Sequence, residues 1–123
     1  MYTGKGQTVL IIDDEDTFTN FLKRVLEKYN YNVLIANDGE KGLILYKKQY
    51  QTIDLVLLDL TLPNISGQKV LKVIIETNPL AKIVLSTGGS YNEIKHLHLA
   101  KGVLIKPFKL TLLLDKIKKV LDT

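Results

Sequence analysis

The chain reads as an α/β protein, a doubly wound parallel sheet with helices on both faces. Two observations predict this. Short apolar runs alternate with helical segments five times over 123 residues, with no internal repeat and no interior linker. The runs are apolar throughout, as strands buried on both faces of a parallel sheet are, yet they end on polar residues and turn formers. In open sheets of this kind, ligands bind in the crevice at the carboxyl ends of the strands.

Residues 1–7 are polar and Gly-rich and read as an N-terminal tail or linker remnant, leaving residues 8–123 as one domain. Thr8-Val9-Leu10-Ile11-Ile12 is the first strand, and it stops at Asp13-Asp14-Glu15-Asp16. Phe18, Phe21, Leu22, Val25, Leu26 and Tyr29 then recur at helical spacing, behind acidic residues that favour a helix start. Asn30-Tyr31-Asn32 turns the chain into a second strand, Val33–Ala36. Asn37-Asp38-Gly39 ends that strand, and a helix carrying Leu43, Ile44 and Tyr46 runs to about Tyr50.

The third strand, Ile53 to Asp59, ends on a carboxylate and is broken into a loop by Pro63 and Gly67. A helix from about Gly67 places Val70, Leu71, Ile74 and Ile75 on one face, and Asn78-Pro79 closes it. Lys82–Thr87 is the fourth strand, ending in two hydroxyls and Gly88-Gly89. Tyr91 to Ala100 has weak helical character. Gly102–Ile105 is the fifth strand, running into Lys106-Pro107-Phe108. The last helix, Lys109 to Leu121, is expected to bury Leu112, Leu113, Ile117, Val120 and Leu121.

Composition narrows the functional classes. Hydrophobic residues make up 46% and charged residues 24%, the balance of an ordinary globular domain. The absence of cysteine excludes disulfides and thiolate metal sites and fits a reducing cytoplasm. No apolar run has the length to span a bilayer, and no signal-peptide pattern opens the chain, so membrane insertion is not expected. The net charge of +4 comes from lysines scattered over helical segments rather than from one concentrated face, so no direct nucleic-acid contact is expected either.

The strand ends carry the chemistry. Asp13 and Asp14 follow strand one, Asp59 closes strand three, Ser86 and Thr87 close strand four, and Lys106 follows strand five. Three carboxylates in one crevice repel each other, and a hard divalent cation held by oxygen, Mg2+ or Mn2+, relieves that repulsion. A hydroxyl and an ammonium opposite them suit a phosphoryl group. Together these are the parts needed to make an aspartyl phosphate. Singly, each residue has an ordinary explanation: Asp13 and Asp14 as a helix N-cap, Asp59 as a loop cap, Thr87 as a turn residue. Their conjunction at four strand ends carries the functional reading.

The chain resembles the receiver domain of two-component response regulators over roughly Thr8 to Leu121. The residues that carry the resemblance are Ile11-Ile12-Asp13-Asp14-Glu15, Asp54 to Leu60 with Pro63 and Gly67, Leu85-Ser86-Thr87-Gly88, and Lys106-Pro107-Phe108. The resemblance implies a flavodoxin-like three-layer α/β/α fold with strand order 2-1-3-4-5. It implies Asp59 as phosphoacceptor. Asp14 and Asp59, with the backbone carbonyl of Thr61, would hold Mg2+, and Asp13 would act through water. Leu60, Thr87, Gly88 and Lys106 would surround the phosphoryl group, with Lys106-Pro107 in cis. The implied partner is a sensor histidine kinase or a histidine phosphotransfer protein, and the domain is expected as a monomer or weak dimer. On this reading it is a phosphoryl acceptor that catalyses its own phosphorylation and dephosphorylation rather than an enzyme acting on others.

The sequence departs from the family pattern in three places. Val103 stands three residues before Lys106, where an aromatic switch residue is usual, so signalling through a rotating ring is not available. The segment from Thr87 to Lys106 is short, which predicts a truncated or irregular fourth helix. Gly88-Gly89 follows Thr87, which predicts a loop open to water. The residues around Gly4 to Leu10 and Ser86-Thr87-Gly88 favour the C-terminal receiver of a hybrid sensor histidine kinase, whose parent would be a protein kinase, over a stand-alone receiver. The competing classes are a phosphorylation-independent interaction module of the same fold, and a metal-dependent phosphatase. The latter usually carries a second acid two residues beyond its nucleophile, where this chain has Thr61.

Overall fold

The computed structural model describes residues 2–90, 92 and 94–123; Met1, Tyr91 and Glu93, which fall in the expected tail and in the weakly helical stretch, lie outside the described residues. Five strands, β1 (Thr8–Ile12), β2 (Asn32–Ala36), β3 (Leu55–Asp59), β4 (Ile83–Thr87) and β5 (Gly102–Ile105), form one sheet in the order β2-β1-β3-β4-β5. Every pairing is parallel, with Ile12 beside both Ala36 and Leu58, Asp59 beside Ser86, and Thr87 beside Ile105. Among the described residues four α-helices accompany them: α1 (Asp16–Lys28), α2 (Gly39–Gln49), α3 (Gly67–Thr77) and α4 (Leu110–Leu121).

Alternate residues of each strand supply the two cores, because successive side chains leave a strand on opposite faces. Val9, Ile11, Leu55, Leu57, Val84 and Leu104 pack with Leu22 and Leu26 of α1 and Leu113 and Ile117 of α4. Leu10, Ile12, Val56, Leu58, Ile83 and Leu85 pack with Tyr46 of α2 and Val70, Leu71 and Ile74 of α3. Burying one such side chain stabilises the fold by about 1.5–3 kcal/mol. Side-chain caps fix two helix starts: Asp38 accepts from the Lys41 N–H of α2 at 2.7 Å, and Ser66 accepts from the Lys69 N–H of α3 at 3.2 Å.

The strands and their chemistry-bearing ends lie where the sequence places them, and two details differ. Leu112, expected in the core, is 48% exposed, and Leu114 is buried in its place. Leu113, Leu114 and Ile117 stand at the i, i+1 and i+4 positions of one helical face, whereas Leu112 lies on the flank. Phe21 and Ile44, which the sequence places on α1 and α2, face solvent. Residues 2–7 are docked, not loose. The Gly4 and Gly6 N–H groups donate to the Tyr29 and Asn30 carbonyls, and Asn30 and Asn32 side chains donate back to the Gly4 and Gly6 carbonyls. A Cβ at Gly4 would fall 2.3 Å from the Tyr31 ring, so only glycine lets the segment lie this close.

Where a fourth helix was expected, the described residues hold a 3-10 turn at Leu97–Leu99, entered through His96 in the left-handed conformation (φ 59°). Ile94, Leu97, Leu99 and Val103 pin this segment onto the α3 side of the sheet. None of the helices among the described residues is long and apolar enough to cross a membrane.

Candidate functional site

The site is built at the carboxyl edge of β1, β3, β4 and β5. Asp13 directly follows β1; its N–H is held by the Ala36 carbonyl of β2 at 3.1 Å, and its Oδ1 accepts the Glu15 N–H at 2.9 Å. The Asp13 carboxylate thus closes a tight turn just ahead of α1 while facing the crevice; Glu15 stands at the N-cap without a side-chain cap, so the capping explanation of Asp13 and Asp14 does not hold. Asp14, beside it, is exposed. Asp59 ends β3 at 3% exposure, and the Thr61 N–H donates to its Oδ1 at 2.8 Å. One oxygen from each of Asp13, Asp14 and Asp59 falls within 4.8 Å of the others.

Gly67 makes this loop possible. A Cβ there would lie 2.5 Å from Leu60 Cα and 2.6 Å from the Asp59 carbonyl oxygen, so α3 can start against the end of β3 only with glycine. On the opposite side, Thr87 is buried at the end of β4, and its Oγ1 accepts the Gly89 N–H at 3.0 Å. The Lys106 N–H donates to the Thr87 carbonyl at 2.7 Å, tying β5 to β4 just before the cis Lys106-Pro107 bond.

The Lys106 ammonium closes the crevice. Its Nζ lies 3.1 Å from Asp13 Oδ2, 3.3 Å from Glu15 Oε1 and 3.5 Å from Asp59 Oδ2. Burial pulls the Lys106 pKa down, but hydrogen bonding to Asp13 and the charges of Asp13, Asp59 and Glu15 outweigh it and leave the ammonium above its ordinary value. Asp59 is shifted upward: burial raises it most and the Asp13 charge adds to that, while the Thr61 N–H and Lys106 oppose.

Asp13, Asp14, Asp59 and Lys106 meet here, with Thr87 at the end of the strand next to β3, while three other expected residues are placed differently. Leu60 commits its N–H to the Ser86 carbonyl at 2.9 Å, so the backbone donor that reaches the Asp59 carboxylate is Thr61. Gly88 is exposed, and nothing stands within 4 Å of where its Cβ would be. Val103 packs into the core beside Leu85 instead of presenting a ring. Two residues were missed as members of the site: Glu15, the third carboxylate on Lys106, and Phe18, whose ring lies beneath the ammonium at 5.1 Å. Glu15 follows Asp13 and Asp14 directly, which was a usable signal; Phe18 was read only as one position of an apolar helix face.

The donors offered by Asp13, Asp14 and Asp59 are hard oxygens with a surplus of negative charge, a set that fits Mg2+ or Mn2+ and disfavours softer metals. A buried carboxylate, acid neighbours to hold a cation, and a lysine and a threonine opposite can accept a phosphoryl group and neutralise it.

Comparisons with known proteins agree with this geometry. A family model described as the response regulator receiver domain matches residues 9–118. The response regulator ArlR of Staphylococcus saprophyticus is 36% identical over 116 residues, covering 92% of this chain and 51% of that protein. The transcriptional regulatory protein CpxR of Escherichia coli K12 is 36% identical over 115 residues, covering 92% of this chain and 48% of that protein. The chain thus spans about half the length of these two relatives. Among solved structures, a CheX–CheY–BeF3–Mg2+ complex from Borrelia burgdorferi contains a chain with a TM-score of 0.87 and 30% identity, covering 93% of this chain and 88% of that one. The family model spans most of the chain, and relatives more than a third identical cover 92% of it: the chain belongs to the response regulator receiver domain family.

Proposed function

We propose that this domain is the phosphoacceptor of a cytoplasmic two-component His-Asp phosphorelay, with Asp59 taking the phosphoryl group from a sensor histidine kinase or a histidine phosphotransfer protein. The observation that carries the proposal is the Asp59 carboxylate itself. It is buried at a strand end, with one oxygen held by the Thr61 N–H and the other facing the Lys106 ammonium. An Asp59 oxygen attacks phosphorus in line, the P–N bond of the phosphohistidine breaks, and its electron pair leaves on the imidazole, which is reprotonated from water.

Mg2+, or Mn2+ in its place, held by Asp13, Asp14, Asp59 and the Thr61 carbonyl, would neutralise the charge on the transferring phosphoryl oxygens. Lys106 exchanges its carboxylate partners for a phosphoryl oxygen, and the Thr87 hydroxyl donates to another. Water attacking the same phosphorus later releases phosphate and restores the carboxylate, and the open Gly88-Gly89 loop eases its entry. With Val103 in place of a ring, the signal leaves through the segment that joins β4 to β5, where Ile94, Leu97, Leu99 and Ala100 pack on the α3 side of the sheet and the Lys95 N–H donates to Gln68 Oε1 at 2.9 Å.

ArlR and CpxR are named as regulators, and the chain's likeness to hybrid-kinase receivers at Gly4–Leu10 and Ser86–Gly88 supports a hybrid kinase parent instead; a kinase core in the same reading frame decides between them. The test of the site is chemical mapping. After incubation with Mg2+ and acetyl phosphate, borohydride reduction of the acyl phosphate should convert residue 59, and no other, to homoserine. Conversion at a different carboxylate would overturn the assignment.

A further inference from the structure

The three carboxylates around Lys106 account for the hydrogen-bonding side of its ammonium, but something must keep the flexible four-carbon stem from carrying it out to solvent. The Phe18 ring lies on the remaining side, its centroid 5.1 Å from Nζ. A cation over an aromatic face is held by the ring quadrupole, most strongly where water is thinned, and the Lys106 side chain is 21% exposed. The ring is itself braced. Phe108 meets it edge to face at 6.1 Å, and both rings pack on the α1–α4 core. Phe18 comes from the first turn of α1, two residues after the acid run Asp13–Asp16, and Phe108 follows Lys106 by two residues. One aromatic pair therefore locks the acidic and basic halves of the site together. Glu15, Phe18, Lys106, Pro107 and Phe108 line an open cavity of about 410 Å3 through which the ammonium would otherwise swing.

We propose that Phe18 is a positioning residue for phosphoryl transfer: its ring face holds the Lys106 ammonium over Asp59. The proposal rests on Asp59 being the phosphoacceptor, and its action is electrostatic, beyond filling space.

The test compares wild type with Phe18→Leu, Phe18→Tyr and pentafluorophenylalanine at position 18, which keeps the ring's shape and inverts its quadrupole. Two readouts are taken: the phosphorylation rate with Mg2+ and acetyl phosphate, and the NMR signal of the Lys106 ε-methylene group in the unphosphorylated protein. The Leu and fluorinated variants should slow phosphorylation about three- to tenfold, with Tyr near wild type. The upfield ring-current shift of the wild-type ε-methylene should disappear with Leu. A fluorinated variant as fast as wild type, or an unshifted ε-methylene in the wild type, overturns the proposal, and the fluorinated chain decides if the Leu variant folds poorly. Absence of any wild-type adduct removes the phosphoacceptor reading instead, and the ε-methylene shift then reports the ring contact alone.

Discussion

Replacing Asp59 with Asn should make the fold more stable at neutral pH, although it removes the reactive group. At an effective dielectric of about 20, an Asp13 carboxylate oxygen within 4.8 Å repels Asp59 by roughly 3.5 kcal/mol or more, and Lys106 at 3.5 Å attracts it by roughly 4.7 kcal/mol. These contributions nearly cancel, so the cost of burying a charge at 3% exposure decides the sign. Asn removes that cost and keeps an oxygen to accept the Thr61 N–H. A gain of about 1–2 kcal/mol follows, or roughly 4–8 °C in Tm for a domain this size.

The pH dependence is fixed by the raised pKa of Asp59. Below the ordinary carboxylate range residue 59 is protonated in both folded and unfolded chains, and the wild type carries no penalty. As pH rises through the higher folded-state pKa, the penalty grows to its full value. Urea unfolding of both proteins from pH 3 to pH 7 should therefore show the two stabilities converging in acid and parting towards neutrality. An Asn variant less stable at pH 7, or a gain that persists unchanged at pH 3, would refute the reasoning.

Four further substitutions test other parts of the structure. Lys106→Met leaves Asp13 and Asp59 buried without their ammonium and should cost about 2 kcal/mol at pH 7. Because the lysine pKa is raised above 10.5, that stabilisation is complete at neutral pH and is lost as pH rises through the folded-state value, so the gap between variant and wild type should narrow in strong alkali. Gly67→Ala forces a methyl group into the Leu60 and Asp59 backbone and should cost about 2–3 kcal/mol, with amide shifts centred on residues 59–67. Leu114→Ala should cost about 2–4 kcal/mol by denaturant titration, whereas Leu112→Ala should stay within about 0.5 kcal/mol.

The strands were legible because each is a short apolar run closed by polar residues or turn formers, and their parallel packing brings the ends that carry Asp13, Asp59, Thr87 and Lys106 to one edge of the sheet. The phase of α4 was not legible in the same way. Leu110, Leu112, Leu113 and Leu114 crowd its first turn, and periodicity cannot choose among adjacent leucines; contact with the sheet does. The docking of residues 2–7 depends on backbone hydrogen bonds and on one glycine beneath Tyr31, neither of which leaves a mark in hydropathy. Phe18 was hidden by its own position, since an aromatic at helical spacing looks the same whether its neighbour is a leucine or an ammonium. The short segment before β5 did announce an irregular fourth helix, and chain length was the signal.

The central claim is that Asp59 accepts a phosphoryl group with the help of a divalent cation, and intact-protein mass after incubation with acetyl phosphate tests it most directly. The wild type should gain the mass of one phosphoryl group with Mg2+ present and none after chelation, and Asp59→Asn should gain none in either case. Should hydrolysis outrun detection, beryllofluoride with Mg2+ should still bind the wild type and not the variant. An adduct that survives in Asp59→Asn, or a wild type that takes neither phosphoryl group nor beryllofluoride, would contradict the account.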